Sequence, residues 1–239
     1  MESYKVLERK ITADIDGRIK AVNEGNELNE PVYAINWFNT KMEWMYNFYN
    51  ILAASSLFKV GGSVFFKGKV TQTIHGNRDA ARELLLVVNY PAPDNFLDLM
   101  QIKFFQLISI FRILSVDKFT FGFTERKDDK PRTRLDKSKS HAVHHFKFNG
   151  GDNPDAVIQN IKELAEKEKV EIIFIGKISS LLFIEKNSHE AQVPCLMDVV
   201  VIFEGDMDEA LEHLLSSKEY VDLAGKQEST YSALVNRVM

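Results

Sequence analysis

The amino-acid sequence predicts an α+β fold made of two consecutive βαββαβ units. The same order of strand-like and helix-like apolar segments occurs twice, with an offset of roughly 110 residues, the size of a duplicated small domain. A stretch crowded with charged side chains, residues 125–140, separates the two occurrences. The chain has 239 residues, of which 45% are hydrophobic, so it can bury a packed core.

This pattern divides the chain into four parts. Residues 1–30 are a polar N-terminal arm, 31–124 the first unit, 125–140 a solvated linker and 141–239 the second unit. Apolar residues of the arm recur at steps of three and four, which predicts a helix packed on the body of the protein. They are Val6, Leu7, Ile11, Ile15 and Ile19.

Composition and charge favour an intracellular protein. The chain carries 30 Lys and Arg against 34 Asp and Glu, a net charge of -4, so no overall field attracts nucleic acid or an anionic membrane. The single cysteine, Cys195, cannot form an intrachain disulfide. Residues 1–20 lack the apolar run of a signal peptide, and charges interrupt residues 96–116, the most apolar stretch. We expect a cytoplasmic protein without nucleic-acid or membrane partners.

The first unit opens with a strand at residues 32–38 and a helix that follows it. The glycine pair Gly61-Gly62 supplies the stop expected just past a helix end. The apolar positions of this helix are Trp44, Met45, Phe48, Ile51, Leu52 and Leu57.

A hairpin, a second helix and a fourth strand complete the first unit. Residues 63–73 and 82–90 predict the hairpin, with a turn at 75–77. Asp94 is the expected N-cap of the second helix, and residues 118–124 alternate as a strand. The apolar stripe predicted for that helix is Phe96, Leu97, Met100, Phe104, Leu107, Ile108 and Phe111.

The second unit repeats this order. Residues 141–148 predict a strand, and Asn153-Pro154 predicts a capped helix with proline in its first turn. The remaining predicted elements are strands at 170–184 and 197–203, a helix at 206–224 and a strand at 231–238.

These segments resemble the dimeric α+β barrel superfamily of ferredoxin-like domains. Residues 85–91, followed by 96–100 and Phe105, are similar to the third strand and second helix of its small members, and residues 61–64 to the glycine pair that opens their second strand. The resemblance covers most of residues 31–124 and, more faintly, 141–238. Because such members pair two subunits sheet to sheet, it implies two tandem ferredoxin-like βαββαβ repeats with antiparallel sheets packed into a pseudo-dimeric α+β barrel. The space between the sheets is then the natural ligand pocket.

Three histidines on the first strand of the second unit are polar candidates for that pocket. Strand alternation places His144 on one face and His141 and His145 on the other, so only one set points into the barrel. An imidazole there can bind a ligand or act as a general base, and we name His145 as the candidate base. Structural histidines at a linker end are the alternative interpretation.

Four residues of the first unit are further ligand-binding candidates. Tyr33, Asn36 and Trp37 lie on its first strand, and Arg112 lies among apolar residues of its second helix. The aromatic residues can line an apolar pocket, while Asn36 or Arg112 can fix a polar group of a ligand. Core packing is the alternative, because the chain has 17 phenylalanines.

No motif in the sequence identifies a cofactor. Histidine and cysteine spacings match no metal site, and the phosphate-loop and nucleophile-elbow patterns are absent. We therefore predict no metal and leave the cofactor unknown.

Three functions remain open at this point. The leading hypothesis is a barrel that binds a small, largely apolar molecule between its sheets. The resemblance also allows a cofactor-independent oxygenase or isomerase using His145, or a haem-binding two-repeat barrel. Self-association is expected through Ile102, Phe105 and Ile113, which lie outside the apolar stripe of their helix.

Overall fold

The computed structural model of the chain describes residues 31–76, 82–127, 138–150, 153–184 and 198–238. The predicted arm helix and most of the charged linker therefore lie outside the described residues, as does Cys195.

The elements of the first half follow the predicted order. The strand β1 spans Val32–Thr40 and the helix α1 spans Glu43–Lys59. Gly61, with a φ of 72°, ends α1 as expected, and the N–H of Gly62 donates to the carbonyl of Leu57. The other elements are β2 (Ser63–His75), β3 (Leu84–Tyr90), α2 (Pro93–Gln101), α3 (Lys103–Ser115) and β4 (Val116–Arg126).

The second half has the same order of strands and helices. Asn153 caps its first helix through its side chain, as predicted, and Pro154 is the first helical residue. The elements are β5 (Ser140–Lys147), α4 (Pro154–Lys167), β6 (Glu171–Ile184), β7 (Val199–Gly205), α5 (Asp208–Ser216), α6 (Lys218–Gly225) and β8 (Ser229–Arg237).

The second predicted helix of each half is in fact two helices. Ile102, with a ψ of 113°, separates α2 from α3, and Ser217, with a ψ of 145°, separates α5 from α6. Because the break resets the helical phase, Phe105 is only 8% exposed, whereas Leu107 is 70% exposed. The predicted apolar stripe and the outward position of Phe105 were therefore wrong.

The start of α2 also differs from the prediction. Ala92, not Asp94, is the N-cap, and Pro93 is the first helical residue. The Oδ1 atom of Asn95 accepts from the Ala92 N–H, so the third helical residue supplies the cap contact.

The eight strands of the described residues form one closed antiparallel barrel in the order β1-β3-β2-β8-β5-β7-β6-β4. The first half supplies four adjacent strands and the second half the other four. Pairing of β2 with β8 and of β4 with β6 joins the halves. Since four antiparallel steps separate β1 from β5 in either direction, these strands run the same way on opposite sides of the barrel.

Strands β1, β3 and β7 are buried on both faces and are apolar almost throughout, whereas the second half of β2 is polar and partly exposed. One apolar cluster fills the barrel interior, and two others lie between the barrel and the helices of each half. The interior cluster includes Tyr33, Ile35, Trp37, Phe65, Phe66, Leu85, Val87, Val143, Phe174, Val200, Ile202 and Tyr231. Among the helices of the described residues, none has the length and apolarity needed to cross a bilayer.

Candidate functional site

Strand alternation decides which candidate residues enter the barrel. Tyr33 and Trp37 of β1 belong to the interior cluster, and His141 and His145 of β5 contact its aromatic rings. Asn36 and His144, at the alternate positions, lie on the helix side.

Trp37 and His145 meet across the barrel interior. The Nε1–H of Trp37 donates to Nε2 of His145 at 3.1 Å, and both residues are 0% exposed. An indole N–H can only donate, so Nε2 of His145 is the acceptor and its neutral ring carries the proton on Nδ1. The hydrogen bond thus fixes both the tautomer and the orientation of this imidazole.

Tyr231 completes this group, which we call the interior polar cluster: Trp37, His145 and Tyr231. Tyr231 pairs with His145 across β5 and β8, and its ring stands edge-on to Trp37 at 5.7 Å. Its buried Oη contacts the side chain of Thr73, which lowers the pKa of Tyr231, but the contact falls outside normal hydrogen-bond geometry. Burial is the larger influence and raises the pKa of Tyr231.

A buried arginine lies beside this cluster. Arg82 is 3% exposed, its Nε–H donates to the carbonyl of Lys118 at 3.0 Å, and its charge lowers the pKa of Tyr231. Lys118 has a φ of 48°, a conformation that is strained for a residue other than glycine. The sequence interpretation missed Arg82 and Tyr231 as site residues; for Arg82, a charged residue two positions before the apolar run of β3 was the available signal.

A second polar contact involves the other inward histidine of β5. The Nε2–H of His141 donates to Oε2 of Glu204 at 3.1 Å, and the His141 ring lies 5.1 Å from that of Phe66. His141 is fully buried, whereas the Glu204 side chain is 10% exposed. The corresponding pair of β1 and β3 is Tyr33 opposite Asn89.

Tyr33 packs among aromatic rings rather than in the interior polar cluster. Its ring centroid lies 5.5 Å from that of Phe65 and 5.1 Å from that of Phe174. It precedes Trp37 by four residues on the same strand, a separation of about 13 Å. Tyr33 and Trp37 therefore face different levels of the interior.

His144 lies outside the barrel, under α6. Its Nδ1 is hydrogen-bonded to Oη of Tyr220 at 2.8 Å, and its Nε2 to Oγ1 of Thr230. Burial, followed by the nearby His75 and His145, holds the pKa of His144 well below its usual range. His75, expected in an exposed turn, instead ends β2 half-buried and stacks on His144 at 5.7 Å.

Asn36 and Arg112 also lie outside the interior. The amide of Asn36 donates to the carbonyls of Ala34 and Leu86, each at 3.0 Å. Arg112 lies over the ring of Phe119 at 4.9 Å, between α3 and the barrel. The structure therefore brings Trp37 and His145 together and leaves Asn36, Arg112 and His144 apart from them.

The middle of the barrel is tightly filled. A Cβ atom added to Gly68 would lie 2.8 Å from the Phe66 ring, and one added to Gly176 would lie 2.6 Å from the Phe174 ring. An eight-stranded barrel has an interior just wide enough for side chains to fill. Within the described ranges, no group of three or more His, Cys, Asp or Glu residues could hold a metal ion.

Two solved structures show the class to which this fold belongs. A protein provisionally assigned as a monooxygenase (FN1347) from Fusobacterium nucleatum is 11% identical, with a TM-score of 0.53; the match covers 88% of this chain and 93% of that one. An anthrone oxidase-like protein is 9% identical, with a TM-score of 0.53; the match covers 88% of this chain and 92% of that one. The chain has the fold of the dimeric α+β barrel proteins. No protein-family model and no curated protein matches it.

Proposed function

We propose that the barrel binds one small, largely apolar molecule at the level of the interior polar cluster. The observation that carries this proposal is the buried Tyr231 hydroxyl, whose contact with the Thr73 side chain falls outside normal hydrogen-bond geometry. Leaving a buried polar group unsatisfied costs about 1–3 kcal/mol. A ligand oxygen that accepts from Tyr231 Oη would remove that cost.

The surroundings define the chemistry of the molecule. Trp37 and His145 provide flat ring faces, and their mutual hydrogen bond holds both rings in place. Arg82 contributes positive charge near Tyr231, which favours an oxygen with partial negative charge. A planar apolar body with one carbonyl or phenolic oxygen fits these groups.

Packing restricts where the molecule is held. Phe66 and Phe174 fill the middle of the barrel beside Gly68 and Gly176. The ligand therefore occupies the level of Tyr231 rather than the whole space between the sheets.

The two halves of the barrel are also inferred to be tandem ferredoxin-like repeats. β3 and β7 both have seven residues, α2 and α5 both have nine, and a single non-helical residue follows each of these helices. Trp37 pairs with the second residue of β3, as His145 pairs with the second residue of β7. On this interpretation, one site is built from two equivalent positions that now carry different side chains.

An oxygenase that needs no cofactor is the second candidate. Its support is the pair of solved structures with a TM-score of 0.53, one provisionally assigned as a monooxygenase and one anthrone oxidase-like. His145 would remove a proton from an acidic carbon of the ligand before reaction with oxygen. Because Nε2 of His145 accepts from Trp37, the ligand would first have to replace that hydrogen bond.

Haem fits the three histidines of β5 poorly. Both ring nitrogens of His144 are hydrogen-bonded to protein hydroxyls. The Nε2 atoms of His141 and His145 are engaged by Glu204 and Trp37. Purified protein is therefore expected to show no Soret absorption.

Calorimetric titration with anthrone, a tricyclic aromatic ketone, tests the binding proposal. The wild-type chain should bind it, and Tyr231→Phe, which keeps the ring and removes the hydroxyl, should weaken binding about tenfold. Tyr33→Phe, at the other level of the interior, is the control and should bind like the wild type. Equal affinity in all three proteins would contradict the proposal. Oxygen uptake in the same samples, abolished in His145→Ala, would establish the enzymatic alternative.

A further inference from the structure

The outer face of α1 and α3 is apolar and exposed. On α1 the exposed residues fall at helical steps, and the rings of Phe48 and Phe111, 5.5 Å apart, join the two helices. In the described part of the second half, helices α4, α5 and α6 expose only Val221 as a large hydrophobic side chain. The face comprises Trp44, Phe48, Ile51, Phe58, Phe104, Leu107, Ile110, Ile113 and Leu114.

The exposed apolar side chains of this face are expected to be buried by another segment or molecule. Trp44 is 69% exposed and Ile51 is 74% exposed. A cluster of exposed apolar side chains on two neighbouring helices marks a contact with another segment or molecule.

We propose that residues 4–22 of this same chain form an amphipathic helix that docks on this face. The sequence places Leu7, Ile11, Ile15 and Ile19 at steps of four, so one side of the helix would be apolar and the opposite side charged. That apolar side needs burial as much as the face does.

The arm joins the barrel at the end where α1 finishes and α3 begins, which places it next to the exposed face. The arm enters at Pro31, next to Val32, which pairs with Tyr90. Because α1 returns along β1, its last residues, including Phe58, lie at this end of the sheet. Helix α3 begins at the same end with Phe104 and finishes beside Lys41, whose N–H donates to Ser115.

The length of the proposed arm helix matches the length of the face on which it would dock. A helix of residues 4–22 would be about 28 Å long, and the 17 residues of α1 span about 25 Å. Residues 23–30 then provide a connection of up to about 26 Å, enough to reverse direction after the helix.

A second copy of the chain is the competing occupant and the basis of the self-association expected from the sequence. The arm has the advantage of its tether, because a short linker gives an effective concentration of about millimolar. A second copy at micromolar concentration would have to bind far more tightly to displace it.

Acrylamide quenching of Trp44 tests the proposal directly. The chain has two tryptophans, and Trp37 is fully buried, so the quenchable emission reports Trp44. In the full chain, Trp44 should be protected at every protein concentration. The variant Ile11→Glu/Ile15→Glu should increase its quenching constant several-fold. Ala13→Glu/Gly17→Glu adds the same charge on the opposite side of the helix and should leave Trp44 protected.

Three outcomes would overturn the proposal. Trp44 could be freely quenched in the full chain, its protection could survive Ile11→Glu/Ile15→Glu, or the protection could disappear on dilution together with a dimer seen by sedimentation. The last outcome assigns the face to a second copy. Trp44→Phe reports Trp37 alone and verifies that each barrel is folded. If the glutamate variant unfolds, deletion of residues 1–28 replaces it and should expose Trp44 in a folded barrel.

Discussion

At the scale of single residues, buried polar side chains are the features that require explanation. The interior is apolar except for a few groups, and His145 would be a costly choice for packing alone. Its hydrogen bond with Trp37 satisfies one nitrogen and fixes the ring. The buried hydroxyl of Tyr231 contacts Thr73 outside normal hydrogen-bond geometry, so it is poorly satisfied by the described residues.

Replacing Tyr231 should therefore stabilise the ligand-free protein. Tyr231→Phe removes a poorly bonded buried hydroxyl, so the free energy of unfolding in urea should rise by about 1 kcal/mol. Tyr220→Phe is the matched control, because its hydroxyl is hydrogen-bonded to His144 at 2.8 Å. That substitution should lower the free energy by about 1–2 kcal/mol. A loss of stability in Tyr231→Phe would show that its hydroxyl has a good partner.

His144 should make stability depend on pH. Its pKa is depressed in the folded state, so the unfolded chain binds the proton more readily below its ordinary pKa of about 6.5. Stability from this group is complete above that pH and falls by about 1.4 kcal/mol per pH unit below it. Urea unfolding between about pH 5 and pH 8 should show a shallower slope in His144→Gln.

At the scale of elements, the sequence predicted the order of strands and helices but not the breaks inside the helices. Ile102 and Ser217 carry no proline or glycine signal, so the apolar stripe was extended across them with the wrong phase. The cap was predictable where a side chain with cap chemistry directly preceded proline, as at Asn153-Pro154. At Ala92 the cap contact comes instead from Asn95, and Asp94 misled the prediction.

Glycines in β2 and β6 are required by close ring contacts. Gly176→Ala would place a methyl group 2.6 Å from Phe174 and 3.0 Å from Thr124, and should destabilise the barrel by about 1–3 kcal/mol. Gly150→Ala meets no atom within 4 Å and is the control, expected to be neutral or slightly stabilising. Thermal or urea unfolding of the two variants measures the difference. Equal stability would mean that the interior is looser than these contacts indicate.

At the scale of the whole molecule, the repeated order of apolar segments was the sequence feature that predicted the α+β architecture. Alternation correctly separated His144 from His141 and His145, although sequence alone could not say which set faces inward. Arg82 and Tyr231 escaped notice because their positions depend on strand pairing between distant segments. Asn36 and Arg112 lie on the helix side of the barrel. The spacing of apolar residues within one strand or helix did not show which of its faces would point into the barrel.

Closure of the barrel should make the two halves unfold together. The ladders β2–β8 and β4–β6 connect them on both sides, so neither half can open without breaking both connections. Circular dichroism and Trp37 emission in Trp44→Phe should give one coincident thermal transition. Two separate transitions would show that the halves are independent.

The most direct measurement of the proposed binding is the NMR signal of the tryptophan indole N–H groups during addition of anthrone. The chain has only Trp37 and Trp44, and the Trp44→Phe variant assigns both signals. The proposal predicts that the Trp37 signal shifts, because its Nε1–H lies in the interior polar cluster, while the Trp44 signal stays constant. A Trp37 signal that is unchanged at saturating anthrone would contradict binding inside the barrel.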